Sequence, residues 1–311
     1  MGKAKVNKDK PTEKIKTAGI KFNKDKGQHI LRNPLIIQTM IEKAGIKSSD
    51  SVLEVGPGTG NLTVKLLEKA GIVHAFEIDP RMVSELQKRV QTSPNRPKLH
   101  ICVGDAIKCK EWPRFDLCVA NLPYQISSPF VLRLIAYGNS YRCAVVMVQK
   151  EFADRLVAKP GDKLYCRLSA NIQFHCRVAK LMKIARNSFR PPPKVDSAVV
   201  RIEPRFPKPP VSFEEWDSLL RIVFARKNKT LSANFSKSVV QILHNNYLKT
   251  CKQKNIQPQP EGIEQAANLM NDKVTKILTD SSFGTFRART MDEDDLLKLL
   301  LAFKTENIYF A

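Results

Sequence analysis

The stretch that decides the fold is SVLEVGPGTGNLTVKLLEKA, residues 51–70. Its first five residues are mostly apolar and suit one short buried strand, and its last ten repeat apolar residues at helical spacing. Gly56, Gly58 and Gly60 stand between these parts, where a chain that leaves a strand must turn sharply into a helix. This strand–loop–helix unit predicts an α/β domain that begins on a parallel sheet.

The same alternation continues on both sides of this unit. Further strands are predicted at 72–78, 98–104, 115–120, 142–149 and 197–202, and further helices at 32–46, 80–90 and 128–137. The first of these helices begins with Asn33 as N-cap and Pro34 in its first turn. Short apolar strands between amphipathic helices indicate a doubly wound parallel sheet, whose first strand–helix loop is a common site for a nucleoside cofactor.

Proline content divides the chain into segments. The segment EPRFPKPP, residues 203–210, has four prolines, and we expect it neither to pair in a sheet nor to continue a helix. We therefore place an α/β domain at 27–203, a proline-rich linker at 204–210 and a small helical domain at 211–311. Residues 1–26 carry nine lysines, which predicts a disordered basic tail that contacts phosphates or serves as a nuclear address.

The charge balance points to a polyanionic partner. The chain has 52 Lys and Arg against 30 Asp and Glu, a formal net charge of +22, and nucleic acid is the partner that this excess favours. The seven cysteines form no CxxC pair and have no zinc-ligand spacing with the histidines, so we expect a reducing compartment and no metal. No apolar run is long enough for a membrane span. We expect a monomer without a membrane partner.

Acidic residues follow the strands at the edge where the glycine loop lies. Glu77 ends the second strand, where a carboxylate can accept hydrogen bonds from both hydroxyl groups of a ribose. Asp105 follows the third strand and is placed to accept one from an adenine amino group. Glycine loops serve NAD, FAD and S-adenosylmethionine proteins alike, but the G-x-G-x-G spacing here leans away from dinucleotides. Glu54 either meets the amino group of the cofactor indirectly or caps the helix.

The sequence NLPY, residues 121–124, ends the fourth strand at the same edge. The side-chain oxygen of Asn121 and the carbonyl of Leu122 can accept the two N–H bonds of adenine N6, a weak nucleophile. Pro123 fixes the backbone so that this carbonyl points into the site, and Tyr124 stacks on the base for about 1–3 kcal/mol. These contacts predict methyl transfer by positioning. No well-placed histidine or lysine indicates a general base.

Six motifs, taken in order, resemble the KsgA-type rRNA adenine N6-dimethyltransferases from about residue 22 to the end. They are GQHIL (27–31), EVGPGTG (54–60), EID (77–79), GDA (104–106), NLPYQISSP (121–129) and FRPPPKVDSAVVRIEP (189–204). The resemblance implies S-adenosylmethionine as cofactor. It also implies a Rossmann-like class I methyltransferase fold with a small C-terminal all-helical domain.

The resemblance also implies roles for single residues. Gln28, His29 and Leu31 match the family residues that close over the cofactor. The positions that match residues which bind the cofactor or lie beside its methyl group are Gly56, Glu77, Asp105 and Asn121. Phe189 matches a family aromatic residue that sandwiches the target base opposite Tyr124.

The longer matches QKEFADRL, PGDKLYCRLS and RKNKTLS resemble the eukaryotic small-subunit members of the family. This likeness implies two adjacent adenines in the 3′-terminal hairpin of small-subunit (18S) rRNA, each methylated twice. It also implies a role in pre-rRNA processing and small-subunit biogenesis on a pre-ribosomal particle. Together with the lysine-rich tail it favours the nucleolus over the mitochondrion.

The run RKNKT in the helical domain supplies Arg226, Lys227 and Lys229 as candidate contacts to RNA phosphates. The alternative is a solvated helix end whose cations offset the helix dipole. Two other functions stay open. One is a ribosome-assembly or RNA-binding factor whose methyl transfer is secondary. The other is an NAD-dependent oxidoreductase, which rests on the glycine loop alone.

Overall fold

The computed structural model describes residues 29–31, 33–138, 140–254 and 263–310. The side chains of 250–254 and 263–268 lie outside this description. The predicted tail at 1–26 and Gln28 also lie outside the described residues, so the predictions for them stay predictions.

A seven-stranded sheet forms the centre of the α/β domain, beside a separate two-stranded pair. The strands are β1 Ile30–Leu31, β2 Ser51–Val55, β3 Ile72–Glu77, β4 Leu99–Val103, β5 Leu117–Asn121, β6 Cys143–Gln149, β7 Cys176–Ile184, β8 Phe189–Arg190 and β9 Ser197–Pro204. The sheet order is β4-β3-β2-β5-β6-β9-β7. Strands β2 to β6 are parallel, which confirms the predicted class, but β9 runs antiparallel to both β6 and β7. The sequence pattern gave no sign of this antiparallel edge.

Helices cover the sheet and continue into the C-terminal part. They are α1 Pro34–Ala44, α2 Asn61–Lys69, α3 Pro80–Val90, α4 Ser127–Tyr137, α5 Lys150–Leu156, α6 Arg167–His175, α7 Phe213–Val223, α8 Leu231–Asn234, α9 Lys237–Lys254, α10 Ile263–Asp280 and α11 Glu293–Thr305. Asn33 caps α1 by accepting a hydrogen bond from the amide of Leu35 at 3.0 Å. Among the described residues, no helix is both long and apolar enough to cross a bilayer.

Alternation along the strands builds a core on each face of the sheet. In β6, Val145 and Met147 pack on one face, with α1 and α2, whereas Val146 and Val148 pack on the other, with α4 and α5. This period of two is expected of a strand that is buried on both sides. It leaves the carboxyl ends of the parallel strands as the open edge of the domain.

The proline-rich segment at 203–210 differs from its prediction at its start. Strand β9 continues to Pro204, which lies opposite Cys176 in the antiparallel ladder with β7. The pairing is possible because a proline at a strand end loses only its amide donor and keeps its carbonyl acceptor. The segment leaves the sheet after this residue.

The helical part and the α/β part share one hydrophobic core. Tyr165 and Phe174, which precede the linker, are buried together with Trp216 and Leu300, which follow it. The rings of Phe174 and Trp216 are stacked with centroids 3.7 Å apart. The linker therefore divides the chain, but apolar packing joins the two parts that it separates.

Candidate active site

A cleft lies at the carboxyl ends of β2, β3 and β5. Its wall includes His29, Leu31, Glu54, Gly56, Gly58, Glu77, Ile78, Asn121, Leu122, Pro123, Tyr124 and Phe189. Its volume, counted together with the solvent-open space at its mouth, is about 950 Å³. The structure thus brings together most of the site residues that the sequence predicts.

The glycine loop approaches the NLPY turn closely. Gly56 has φ of 71°, and a Cβ atom there would lie 3.2 Å from the Cδ of Pro123. Gly58 has φ of 56° and nothing within 4 Å of the corresponding position. A side chain at Gly56 would push the turn away, and one at Gly58 would project into open space. The loop therefore presents bare backbone, which lets a ligand approach the amides.

Glu77 is fixed at the end of β3 by two backbone donors. Its carboxylate accepts hydrogen bonds from the amides of Gly58 at 3.1 Å and Asp79 at 3.0 Å. Burial raises the pKa of this carboxyl, and the backbone hydrogen bonds oppose that shift. Each carboxylate oxygen keeps a second lone pair, so Glu77 can also accept hydrogen bonds from the hydroxyl groups of a ribose.

Glu54 is buried in the cleft wall with one unsatisfied oxygen. The side chain is 1% exposed and its Oε2 atom has no hydrogen-bond partner. Burial and, to a lesser extent, the charge of Glu77 raise its pKa to about 8. A buried acceptor without a donor is costly, and the α-ammonium group of S-adenosylmethionine is a donor that would satisfy it. The residues of the cleft therefore fit this cofactor.

The NLPY turn presents its polar atoms to the same cleft. Asn121 donates a hydrogen bond from Nδ2 to the carbonyl of His29 at 3.4 Å, which leaves the amide oxygen as the acceptor available to a ligand. The amide of Leu122 donates to the carbonyl of Met147 at 3.1 Å, so neighbouring strand β6 holds the turn in place. Tyr124 is half-buried, and its hydroxyl is bonded to the hydroxyl of Ser197.

The ring that faces Tyr124 is that of His29. The two ring centroids are 6.0 Å apart with an interplanar angle of 27°, and His29 Nδ1 is bonded to the carbonyl of Pro191 at 2.8 Å. The carbonyl can only accept, so Nδ1 donates and Nε2 keeps a lone pair in the neutral ring. His29 therefore reaches the cleft through β1, as its predicted place beside the cofactor requires, and the expectation that no histidine acts as a general base stays a prediction.

Phe189 lines the cleft but packs mainly into the core. It is 4% exposed and lies opposite Leu31 in the β1–β8 pair. Among the described aromatic contacts, none joins Phe189 to Tyr124. The predicted sandwich of the target base between these two rings stays a prediction, and it requires Phe189 to turn out of its core position.

Two predicted cofactor residues do not line the cleft. Gly60 has φ of 83°, and a Cβ atom there would lie 2.6 Å from Cδ1 of Leu86; the structure therefore gives it a packing role between α2 and α3. Asp105 accepts a hydrogen bond from the amide of Ile107 at 2.8 Å, which closes a local turn after β4. These residue types serve a turn as well as a ligand, so the sequence pattern could not separate the two roles.

The basic run in the helical domain is partly used inside the protein. Lys227 Nζ donates to the carbonyls of Lys163 at 2.9 Å and Tyr165 at 2.7 Å, and Arg226 donates to the carbonyl of Ala233. Lys229 is exposed. Lys227 therefore connects the segment that precedes α6 to the helical domain. Contact with RNA phosphates stays a prediction for all three cations.

Two residues of the site were not singled out by their sequence. Ser197 lies in the quoted motif at 189–204, but only the fold brings it to Tyr124. Ile78 lines the cleft although 55% of it is exposed, and its place after Glu77 is the signal that could have found it.

Within the part of the chain that the structure describes, no three His, Cys, Asp or Glu side chains form a metal-binding group.

Known proteins match this chain along most of its length. A family model described as ribosomal RNA adenine dimethylase matches residues 19–277. The dimethyladenosine transferase of Schizosaccharomyces pombe is 49% identical over 314 residues, covering 100% of both chains. That of Yarrowia lipolytica is 52% identical over 303 residues, covering 96% of this chain and 94% of the other.

Solved structures agree with these sequence matches. The crystal structure of a dimethyladenosine transferase from Plasmodium falciparum has a TM-score of 0.81 and 43% identity, covering 91% of this chain and 100% of that chain. The 23S rRNA methyltransferase ErmE has a TM-score of 0.59 and 23% identity, covering 88% of this chain and 99% of that chain. At that lower identity ErmE shows only that the fold is shared.

Proposed function

The chain belongs to the ribosomal RNA adenine dimethylase family and is an S-adenosylmethionine-dependent RNA adenine dimethyltransferase, and we propose that it modifies small-subunit rRNA. The proposed targets are two adjacent adenines in the 3′-terminal hairpin of 18S rRNA, each methylated twice. The observation that carries this proposal is the NLPY turn in contact with the glycine loop, with Gly56 closest to Pro123. This contact supports a site for the adenine base next to a site for the cofactor.

The cofactor would be held by groups that the fold has already fixed. Glu77 would accept the hydroxyl groups of its ribose, Glu54 would receive its ammonium group, and the bare backbone of Gly58 would lie against it. The bound cofactor supplies an electrophilic methyl group on a sulfonium. Ile78 offers an exposed apolar side chain beside the ribose position, which suits contact with a flat base.

The residues of the turn would bring adenine N6 to that methyl group. The oxygen of Asn121 and the carbonyl of Leu122 each accept one N–H bond, which orients the nitrogen lone pair. Tyr124 stacks on the ring and keeps it in plane. As the new N–C bond forms, the bond between the methyl carbon and the sulfonium sulfur would break, with its electron pair left on sulfur. Positive charge would develop on N6, and these two oxygens would stabilise it. The proton that N6 then loses passes to solvent.

The same turn can serve twice because the first product keeps one N–H bond. A monomethylated N6 still donates to one of the two acceptors, while the methyl group takes the place of the other hydrogen. The cleft is open on one side, so spent cofactor can be exchanged between the two transfers. This arrangement supports dimethylation rather than a single transfer.

We further propose that the protein acts on a pre-ribosomal particle in the nucleolus, as a monomer, and takes part in pre-rRNA processing and small-subunit biogenesis. The lysine-rich tail and the net charge of +22 support this setting. A second role, as an assembly factor whose methyl transfer is secondary, is supported by the helical domain. It shares a core with the α/β part, but its described residues add nothing to the wall of the cleft.

Labelled S-adenosylmethionine and immature small ribosomal subunits test the proposal. After incubation, the rRNA is digested and its nucleosides are identified by mass spectrometry. N6,N6-dimethyladenosine in the 3′-terminal hairpin is the expected product. If the protein binds the cofactor but no dimethyladenosine forms in small-subunit rRNA, the proposed substrate is wrong. A cell that survives with an Asn121 variant but not without the protein would support the assembly role.

A further inference from the structure

A second depression, which we name the lateral groove, lies next to the active-site cleft. Its charged walls are Lys150, Glu151, Asp154, Arg186, Lys194 and Asp196. It adjoins the cleft through β9, because the residue after Asp196 is Ser197, whose hydroxyl is 2.6 Å from that of Tyr124. The lateral groove therefore begins one residue away from the partner of the base-stacking ring.

Two of the acids in the lateral groove are already matched by lysines. Asp154 forms salt bridges with Lys150 and Lys180, each at 2.6 Å, and Asp196 forms one with Lys183 at 3.0 Å. Hydrogen bonds from these lysines lower the pKa of both carboxyls. Both acids are therefore ionised at neutral pH, and their charge is balanced before any ligand arrives.

Arg186 and Lys194 are the cations that remain. Both are exposed, and neither side chain makes a hydrogen bond or salt bridge to any described residue. The amide of Arg186 donates to Asp196 at 3.2 Å, and Lys194 follows three consecutive prolines, whose φ angles are fixed. Asp196 also attracts Arg186. With Lys180 and Lys183 counted, five cations against three acids give the groove and its rim a net positive charge on a stiff backbone.

The chemistry of the site calls for a cationic surface at this place. A base that enters the cleft to reach the methyl group must leave its stack, and its sugar-phosphate backbone then stays outside. Proteins bind the phosphates of nucleic acids mainly through Arg and Lys, and Arg can bind two phosphate oxygens at once. Resting on the proposed function, we infer that the lateral groove binds the backbone phosphates of the RNA strand next to the target adenosine, through Arg186 and Lys194.

The test removes these two charges and compares RNA binding with that of a control variant that loses two positive charges at another place on the surface. The variant Arg186→Ala/Lys194→Ala is matched by Lys43→Ala/Lys69→Ala, whose exposed lysines end α1 and α2 at the opposite edge of the sheet. The probe is an oligoribonucleotide with the 3′-terminal hairpin of small-subunit rRNA, and its dissociation constant is measured from low to physiological KCl. Single-stranded oligoadenylate is a second probe, because it does not depend on the proposed rRNA site.

We expect the groove variant to bind both probes on the order of tenfold more weakly at physiological salt, with a salt slope smaller by about 1.4 for two lost contacts to a single strand. Its KM for RNA rises, while kcat and cofactor affinity stay within twofold of the wild-type values. Equal affinity and slope in the groove and control variants would overturn the inference. If the wild-type protein does not methylate the hairpin, but the groove variant still binds oligoadenylate more weakly than the control variant does, the proposed rRNA site is overturned instead.

Discussion

The hydroxyl oxygens of Tyr124 and Ser197 lie 2.6 Å apart. This bond joins the turn after β5 to the first residue of β9, two strands away across the sheet. Ser197 is fully buried, so it holds the phenol from a fixed position. Burial raises the pKa of Tyr124, and the bond to Ser197 partly offsets that shift. The ring is therefore a neutral stacking surface throughout the physiological range.

Removing this bond should slow transfer without weakening cofactor binding. A neutral hydrogen bond contributes about 1 kcal/mol, so Tyr124→Phe and Ser197→Ala should each lower kcat about fivefold at saturating RNA. Because both variants lose one shared bond, the double variant should be no slower than either single one. Single-turnover rates form the cycle, and cofactor affinity is the control. Losses that multiply in the double variant would show that Ser197 does not act through Tyr124.

Asn121→Ala should abolish most methyl transfer while the protein still folds. The change removes the oxygen that we propose accepts a hydrogen bond from adenine N6, and loss of one such group costs about 10²–10³ in kcat. The circular dichroism spectrum, the unfolding temperature and the cofactor affinity should stay near wild-type values. Activity within tenfold of wild type would refute the role given to this side chain.

Glu54→Gln should remove a pH dependence from the stability of the cofactor-free protein. The pKa of Glu54 is about 8 in the folded state, whereas that of an unperturbed glutamate is 4.5. Between these values the folded state holds a proton that the unfolded state releases, so the stability of the wild type falls as pH rises. The change is up to about 1.4 kcal/mol per pH unit. Gln cannot ionise, so the stability of the variant relative to the wild type should increase as the pH rises from 4.5 to 8.

Urea unfolding at pH 5, 6.5 and 8 measures this difference. The free energies of unfolding of the two proteins should be closest at pH 5 and furthest apart at pH 8. Glu68→Gln is the control, because its exposed side chain pairs with Lys65 at the surface. Parallel curves for wild type and Glu54→Gln would mean that Glu54 ionises freely in the folded protein.

Asp217→Ala should destabilise the whole chain, because Asp217 joins its two parts. This buried carboxylate accepts hydrogen bonds from Arg167 at 2.6 Å and from Asn171 at 2.5 Å, both on α6. Breaking a buried pair costs about 3–5 kcal/mol. Thermal unfolding should shift down as a single transition, whereas Glu68→Ala at an exposed pair should change stability by less than about 1 kcal/mol. Two separate transitions would contradict a shared core.

Local patterns were enough to predict the parallel half of the sheet. The strand at 51–55 and the helix at 80–90 have the predicted bounds, because periodic apolar residues and an N-cap at Asp79 define them. Strand β7 was missed, since alternation on an exposed edge is interrupted by charges. The pair β1–β8 was missed because two-residue strands exist only through their tertiary partner.

The candidate site was predictable to the extent that its residues follow strands. Glu77 and Asn121 meet in the cleft because the ends of parallel strands share an edge. The burial of Glu54 and the inward bonds of Lys227 depend on packing between distant segments, which no local pattern records. For Gly60 and Asp105 the cofactor role stays a prediction, since a turn uses the same residue types as a ligand site.

The pairing of β1 with β8 also has a consequence for biosynthesis. His29 and Pro191, which the pairing brings together, are 162 positions apart in the chain. A nascent chain can form its glycine loop early, but its first described residues have no strand partner until the segment at 189–191 has left the ribosome. Stalled chains of increasing length should therefore acquire cofactor affinity abruptly at that point. The enzyme that modifies rRNA would then be unable to hold its methyl donor during most of its own translation.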